Sequence, residues 1–183
     1  MRKLLLGLFC LLATATTALA APAIKDPENT LVMQLTGGRV LIELRGDLAP
    51  HHVARIKELA RKGFYDGTPF HRVIPGFMAQ GGDPTGTGRG GSGFKLAHEF
   101  SSEKHVRGTV SMARAQDLDS ADSQFFICFA PAPSLDGKYT IWGRVIDGMQ
   151  FVDGIKKGLE EENGAVDQPD RLIWMKVAAD LKE

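Results

Sequence analysis

The sequence has little cysteine, tryptophan or tyrosine and no excess of charge of either sign. Of 183 residues only two are cysteine and two tryptophan, and 22 basic residues balance 22 acidic ones.

 Tyrosine, too, occurs only twice. Without a charge excess there is no broad electrostatic attraction for nucleic acid, and no basic stripe runs along any segment. An apolar content of 43% and a charged content of 24% are those of a soluble globular chain, neither fibrous nor membrane-embedded.

The one pronounced apolar run lies at the start. Met1-Arg2-Lys3 is basic, Leu4 to Leu12 is apolar, and Ala18-Leu19-Ala20 is a small-x-small cleavage site. This is the pattern of a secretory signal peptide over residues 1–20, with an apolar stretch too short to span a bilayer. Bulky Phe9 before Cys10 rules out a lipoprotein site. Cleavage removes two of the 22 basic residues, so the 22 acidic ones then outnumber the rest by two. It also leaves Cys128 as the sole cysteine, which excludes an intramolecular disulfide. Cys128 sits in Phe125-Phe126-Ile127-Cys128-Phe129 with no basic neighbour to lower its pKa, so a buried, inert thiol is expected.

Metal chemistry has no obvious ligands. His51 and His52 are adjacent on a helical segment, where a solvent-facing or capping role is expected. His98 and His105 have no carboxylate or cysteine at ligand spacing, and His71 is read as structural. Asp117 to Asp122 begins like a calcium loop but places Ala121 where an oxygen ligand is needed. Gly86-Thr87-Gly88-Arg89-Gly90-Gly91 suggests a phosphate loop, yet no βαβ pattern surrounds it. No Gly-x-Ser-x-Gly elbow accompanies Ser123 or Ser134, which argues against a hydrolase.

What the chain does have is glycine, 21 residues of it, spaced between short apolar runs. Residues 21–29 read as a flexible leader, and residues 30–180 as one domain. Residues 31–35 and 40–44 flank Thr36-Gly37-Gly38-Arg39 as a hairpin. Pro50 opens a helix with Val53, Ile56 and Ala60 inward, ended by Gly63. Strands are expected at 70–74, 77–80, 109–113, 124–129, 139–146 and 172–177. A second helix is expected at 149–156, a glycine-rich loop at 81–93 and an acidic surface loop at 158–169. Many short strands and two helices point to a mainly β, antiparallel barrel with helices plugging its ends.

Around the bend Pro75-Gly76, strand alternation brings Arg72, Phe77, Met78 and Gln80 near one another. A fixed cation, two large apolar groups and an amide can hold a small apolar ring beneath a charged donor. The block Phe70-His71-Arg72-Val73-Ile74-Pro75-Gly76-Phe77-Met78-Ala79-Gln80-Gly81-Gly82-Asp83-Pro84 resembles the cyclophilin signature. So do Ser123-Gln124-Phe125-Phe126-Ile127-Cys128, Leu135-Asp136-Gly137-Lys138 and Trp142-Gly143-Arg144-Val145, in the family's order. The chain is thereby similar to exported bacterial members of that family.

The resemblance implies an eight-stranded antiparallel β-barrel closed by two α-helices, and cofactor-independent peptidyl-prolyl cis-trans isomerase (rotamase) activity. Carried over by position, Arg72 and Gln80 are the catalytic pair. Phe77, Met78, Phe126 and Leu135 form the proline pocket, and Gln124 is a polar contact. Ala113 and Arg114 offer backbone to the residue before proline, Tyr139 closes the rim, and the loop near Gly86 lines the adjoining groove. The implied partners are proline-containing polypeptides, unfolded or folding exported proteins. The expected enzyme is a periplasmic monomer without metal, with neither nucleic acid nor, after signal cleavage, a membrane as partner. A non-catalytic holdase or scaffold for proline segments is the alternative, which an intact Arg72 disfavours. Ser134, Arg114, Tyr139 and Arg55-Ile56 depart from residues frequent in the family. The first puts inhibition by cyclic peptides in doubt, the next two bear on substrate preference, and the last pair bears on helix packing.

Overall fold

Alternation of apolar residues sets the first two strands, Thr30–Leu35 (β1) and Gly38–Leu44 (β2). Leu31, Met33 and Leu35 face the main core together with Val40, Ile42 and Leu44, across an antiparallel ladder from Thr30↔Glu43 to Leu35↔Gly38. A computed structural model describes residues 23–182, so the expected signal peptide at 1–20 lies outside the described residues. Among them, no helix is long and apolar enough to cross a membrane.

Six further strands follow: Arg72–Ile74 (β3), Met78–Gly81 (β4), Thr109–Met112 (β5), Phe125–Cys128 (β6), Ile141–Asp147 (β7) and Trp174–Val177 (β8). All pair antiparallel in one curled sheet of order β3-β4-β6-β5-β7-β2-β1-β8. The expected closed barrel is corrected to an open half-barrel, because the ladder stops at β3 and β8. Between those edges run only loop contacts: Phe70 N–H donates to Asp170 O at 2.9 Å and Leu172 N–H to Thr68 O at 2.9 Å, beside a lone Pro69↔Arg171 bridge. With three residues, β3 is too short to carry a full seam.

Two α-helices accompany the sheet among the described residues. Helix α1 (Pro50–Arg61) buries Val53, Ile56, Leu59 and Ala60, and helix α2 (Met149–Asp153) buries Val152. The second helix stops three residues before the expected end. Phe151 of α2 lies over Gly38 of β2, where a Cβ would stand 2.4 Å from the ring. Of the leader expected to be flexible, residues 26–29 make defined contacts. Asn29 N–H and Nδ2 donate to Asp26, Ala179 N–H donates to Pro27 O, and Glu28 pairs with Lys57 and Arg61.

The start of α1 has no side-chain cap from Ala49. Instead Glu99, distant in sequence, accepts the backbone N–H of His51 at 3.1 Å and of His52 at 3.0 Å, and faces His52 Nδ1 at 2.6 Å. A carboxylate here satisfies orphan donors and complements the helix dipole. His51 is exposed, but His52 is fully buried rather than solvent-facing, since its ring fills the space between α1 and the Glu99 segment. Burial lowers the His52 pKa against the opposing pull of Glu99. Burial would raise Glu99, but hydrogen bonds from the His52 ring and from the His52 and His51 amides bring it below its ordinary value.

These shifts share one sign. Below about pH 6.5 the unfolded chain takes up a proton that folded His52 resists, and below about pH 4.5 the same holds for Glu99. Folding stability should therefore fall as pH drops from about 6.5, by up to about 1.4 kcal/mol per pH unit from His52. Urea melts at about pH 7.5 and pH 5.5 test this. The slope should become shallower in His52→Gln, and equal midpoints at both pH values in the parent protein would contradict it.

Candidate active site

Strand alternation divides the apolar residues between two clusters. Val73, Ala79, Val110, Met112, Phe125 and Ile127 face the main core. Their neighbours face the other way: Met78, Phe126, Cys128 and Ala132 form a second cluster, with Ile74, Phe77, Ala113, Leu135 and Tyr139 packed against it. Register then lines up the site. Arg72 pairs with Gln80, Gln80 with Phe126 and Phe126 with Ser111, a row crossing four strands. In the next row Ile74 pairs with Met78 and Met78 with Cys128.

These residues surround a hollow of about 180 Å³ lined by Arg72, Phe77, Met78, Gln80, Ala113, Arg114, Phe126, Leu135 and Tyr139. All nine were singled out in the sequence. The tenth, Gln124, lies just behind and lines an adjoining hollow of about 390 Å³ with Gly88 to Gly91, Lys95, Ser120 and Asp122. Six of the nine side chains lining the first hollow are apolar or aromatic, whereas the second is lined mainly by glycine and polar residues.

Three neutral acceptors hold the Arg72 guanidinium. Nε donates to Asn163 O at 3.0 Å, Nη2 to Asn163 Oδ1 at 2.9 Å and Nη1 to Gln80 Oε1 at 3.2 Å. Among the described residues no carboxylate pairs with it. Burial moves its pKa down, yet a guanidinium stays charged at any physiological pH. Gln80 Nε2 passes the chain on to Gln124 Oε1 at 3.0 Å, and Gln124 Nε2 donates to Gly90 O at 2.8 Å. Each amide thus accepts on one side and donates on the other, which fixes its orientation.

Behind the apolar wall, buried His105 stacks on Phe126 with ring centroids 6.1 Å apart. Its Nε2 lies 3.2 Å from Ser111 Oγ and its Nδ1 3.1 Å from Asp136 Oδ1. Burial lowers the His105 pKa against the pull of Asp136. At the rim the Tyr139 ring meets Phe126 edge-on at 5.7 Å, and the Arg114 guanidinium lies 4.7 Å above Tyr139. Ser134 is exposed.

The glycine-rich loop directs its amides inward. Thr85, Gly88 and Gly90 N–H donate to the buried Asp83 carboxylate at 2.7, 2.7 and 3.0 Å. Burial would raise the Asp83 pKa, but the Thr85 hydroxyl, which donates to it at 2.8 Å, and these amides hold it below the ordinary value. Asp122 likewise accepts from Ser92 and Gly93, and Asp119 from His98. The loop is therefore a pinned wall of the groove.

Comparison with known proteins agrees with this geometry. The family model described as cyclophilin type peptidyl-prolyl cis-trans isomerase/CLD matches residues 30–177. The chain belongs to the cyclophilin family. A probable peptidyl-prolyl cis-trans isomerase of Brucella suis biovar 1 is 51% identical over 189 residues, covering 94% of this chain and 96% of that one. Peptidyl-prolyl cis-trans isomerase B of Bacillus subtilis is 44% identical, covering 67% and 86%. Among solved structures, the cyclophilin AquaCyp293 from Hirschia baltica superposes with a TM-score of 0.77 at 31% identity, covering 86% of this chain and 76% of that one. A cyclophilin type isomerase of Cryptosporidium parvum, crystallised in the presence of the dipeptide Ala-Pro, gives 0.74 at 30%, covering 81% and 98%. This cyclophilin is a peptidyl-prolyl cis-trans isomerase, an enzyme class that works without a cofactor.

Sequence reading missed Asn163 and His105. Asn163 lies 91 residues from Arg72, in a segment that reads only as an acidic loop. His105 lacks any local partner, because Asp136 reaches it across 31 residues.

Cys128 forms part of the wall of the second cluster and is fully buried. Burial, with Asp136 adding to it, pushes its thiol up to about 12. In a chain begun at Ala21, where Cys128 is the sole thiol, an aromatic disulfide reagent at about pH 8 should label it only after denaturation. Rapid labelling of the native protein would contradict its burial.

Proposed function

We propose that this cyclophilin accelerates rotation about X-Pro bonds by stabilising the twisted amide with Arg72 over the apolar hollow. Resonance gives the planar amide a rotation barrier of about 18–20 kcal/mol, and unaided X-Pro isomerisation takes tens to hundreds of seconds. No bond is made or broken, so neither a nucleophile nor a Lewis acid is required. At the top of the barrier the prolyl nitrogen is pyramidal and its lone pair is localised. A donor aimed at that nitrogen binds the twisted form more tightly than either planar form, and such differential binding lowers the barrier.

The observation that carries this reading is the Arg72 guanidinium on the wall of a largely apolar hollow, hydrogen-bonded to neutral groups and unpaired by any carboxylate among the described residues. Two of its N–H groups are left for a substrate, and its charge is not cancelled. A single preorganised donor contributes about 2.7–4 kcal/mol. A millionfold acceleration needs about 8 kcal/mol, so Arg72 alone is insufficient. Phe77, Met78, Phe126 and Leu135 supply the remainder by gripping the ring in a dry site, while Gln80 and Gln124 steady the guanidinium.

The substrates in this proposal are proline-containing segments of unfolded or folding proteins. That the Cryptosporidium parvum protein was crystallised in the presence of the dipeptide Ala-Pro supports an X-Pro unit as what the site takes. Ala113 and Arg114 then offer backbone to the residue before proline, and the larger hollow takes residues farther upstream. The basic start, apolar run and Ala18-Leu19-Ala20 site further support export to the periplasm, with exported proteins as clients.

Arg72→Ala should lower kcat/KM on a Pro-containing tetrapeptide by about 10²–10³ with the fold retained. Near-full activity in that variant would remove Arg72 from the mechanism.

A further inference from the structure

Asn163 stands out among the groups the sequence did not assign. It belongs to the segment after α2, which the acidic run Glu160-Glu161-Glu162 marks as a surface loop. That segment is clipped along the free edge of β3. Val73 N–H donates to Gly164 O at 2.7 Å, Gly158 N–H to Val73 O at 3.0 Å and Val166 N–H to His71 O at 3.1 Å, with a bridge between Arg72 and Ala165. Gly164 is buried against the strand, where a Cβ would lie 2.4 Å from Ile74 Cγ1. The loop is thus seated beside the arginine by its backbone, independently of the Asn163 side chain.

Asn163 itself is left-handed, with φ of 55°. From that position both its main-chain and side-chain carbonyls accept from one edge of the guanidinium, at Nε and at Nη2. Bidentate acceptance along that edge is the geometry a carboxylate ordinarily adopts toward arginine. Here the acceptor carries no charge. It fixes the plane of the guanidinium without cancelling the field that the substrate would meet. The three neighbouring glutamates make no ion pair with Arg72.

We propose that Asn163 is a positioning residue for Arg72, a neutral two-point clamp that aims the guanidinium while leaving its charge intact. The proposal rests on the catalytic reading of Arg72 and adds a requirement that the partner be uncharged. Two substitutions separate aim from charge. Asn163→Gly tolerates the left-handed backbone and keeps the main-chain acceptor, but removes the bond to Nη2. Asn163→Asp keeps both acceptors and adds a negative charge.

The test measures kcat and KM of the mature chain on a Pro-containing peptide, with thermal melting as a check on the fold. Both variants should lose about tenfold in kcat with little change in KM or melting temperature. In an Arg72→Ala background both should be silent. The Nη2 protons of Arg72 should exchange faster with solvent in the glycine variant and keep their protection in the aspartate variant, while Nε–H, bound to the main-chain carbonyl, stays protected in both. Wild-type kcat in both variants, alongside a large loss in Arg72→Ala, would overturn the clamp and leave the role of Arg72 standing. Full activity in Arg72→Ala would overturn both.

Discussion

An arginine side chain held by carbonyl groups alone is the constraint around which this cyclophilin is arranged. Arg72 donates to Asn163 and Gln80, meets no carboxylate among the described residues, and borders a hollow whose other walls are largely apolar. Such a placement is unfavourable for folding on its own terms, since burial acts against the charged form. In the proposed mechanism its use is catalytic: a half-buried cation that is already oriented needs no rearrangement when a localised lone pair develops beside it.

The half-barrel serves that placement through register. The row Arg72–Gln80–Phe126–Ser111 runs straight across four strands, so a slip of one residue in any of them would send its member to the core face. The main core fixes the register from the inner face through Val73, Ala79, Ile127 and Val110. From the outer face, His105 stacks on Phe126 and reaches Ser111, while the relay Gln80–Gln124–Gly90 ties the row to the loop pinned by Asp83. The open edge of β3 is what gives the segment bearing Asn163 room to approach the arginine. A closed ladder there would have occupied the same backbone groups.

What could be read in the sequence follows from distance along the chain. Short apolar runs set off by Gly and Pro gave the eight strands to within a few residues, and the Pro75-Gly76 bend brought Arg72 near Gln80 because only eight positions separate them. The pocket wall from Phe126 to Tyr139 came from motif likeness, and all of it converges on the hollow. Barrel closure was misjudged because no local pattern reports how the two ends of a sheet meet. His52 was misplaced for a related reason: its partner Glu99 is 47 residues away and makes burial possible. Asn163 carries no local signature at all, and only the folded edge of β3 brings it to the site.

The central claim concerns the transition state and not the affinity for planar peptide. Exchange NMR on a Pro-containing peptide measures the cis/trans interconversion rate on the protein together with the separate affinities for the two isomers. With Arg72→Lys, which keeps the charge but loses the fork, the on-protein rate should fall about tenfold or more while both affinities stay within about twofold. Weakened affinities with an unchanged on-protein rate would show that Arg72 binds the peptide and does not promote its rotation.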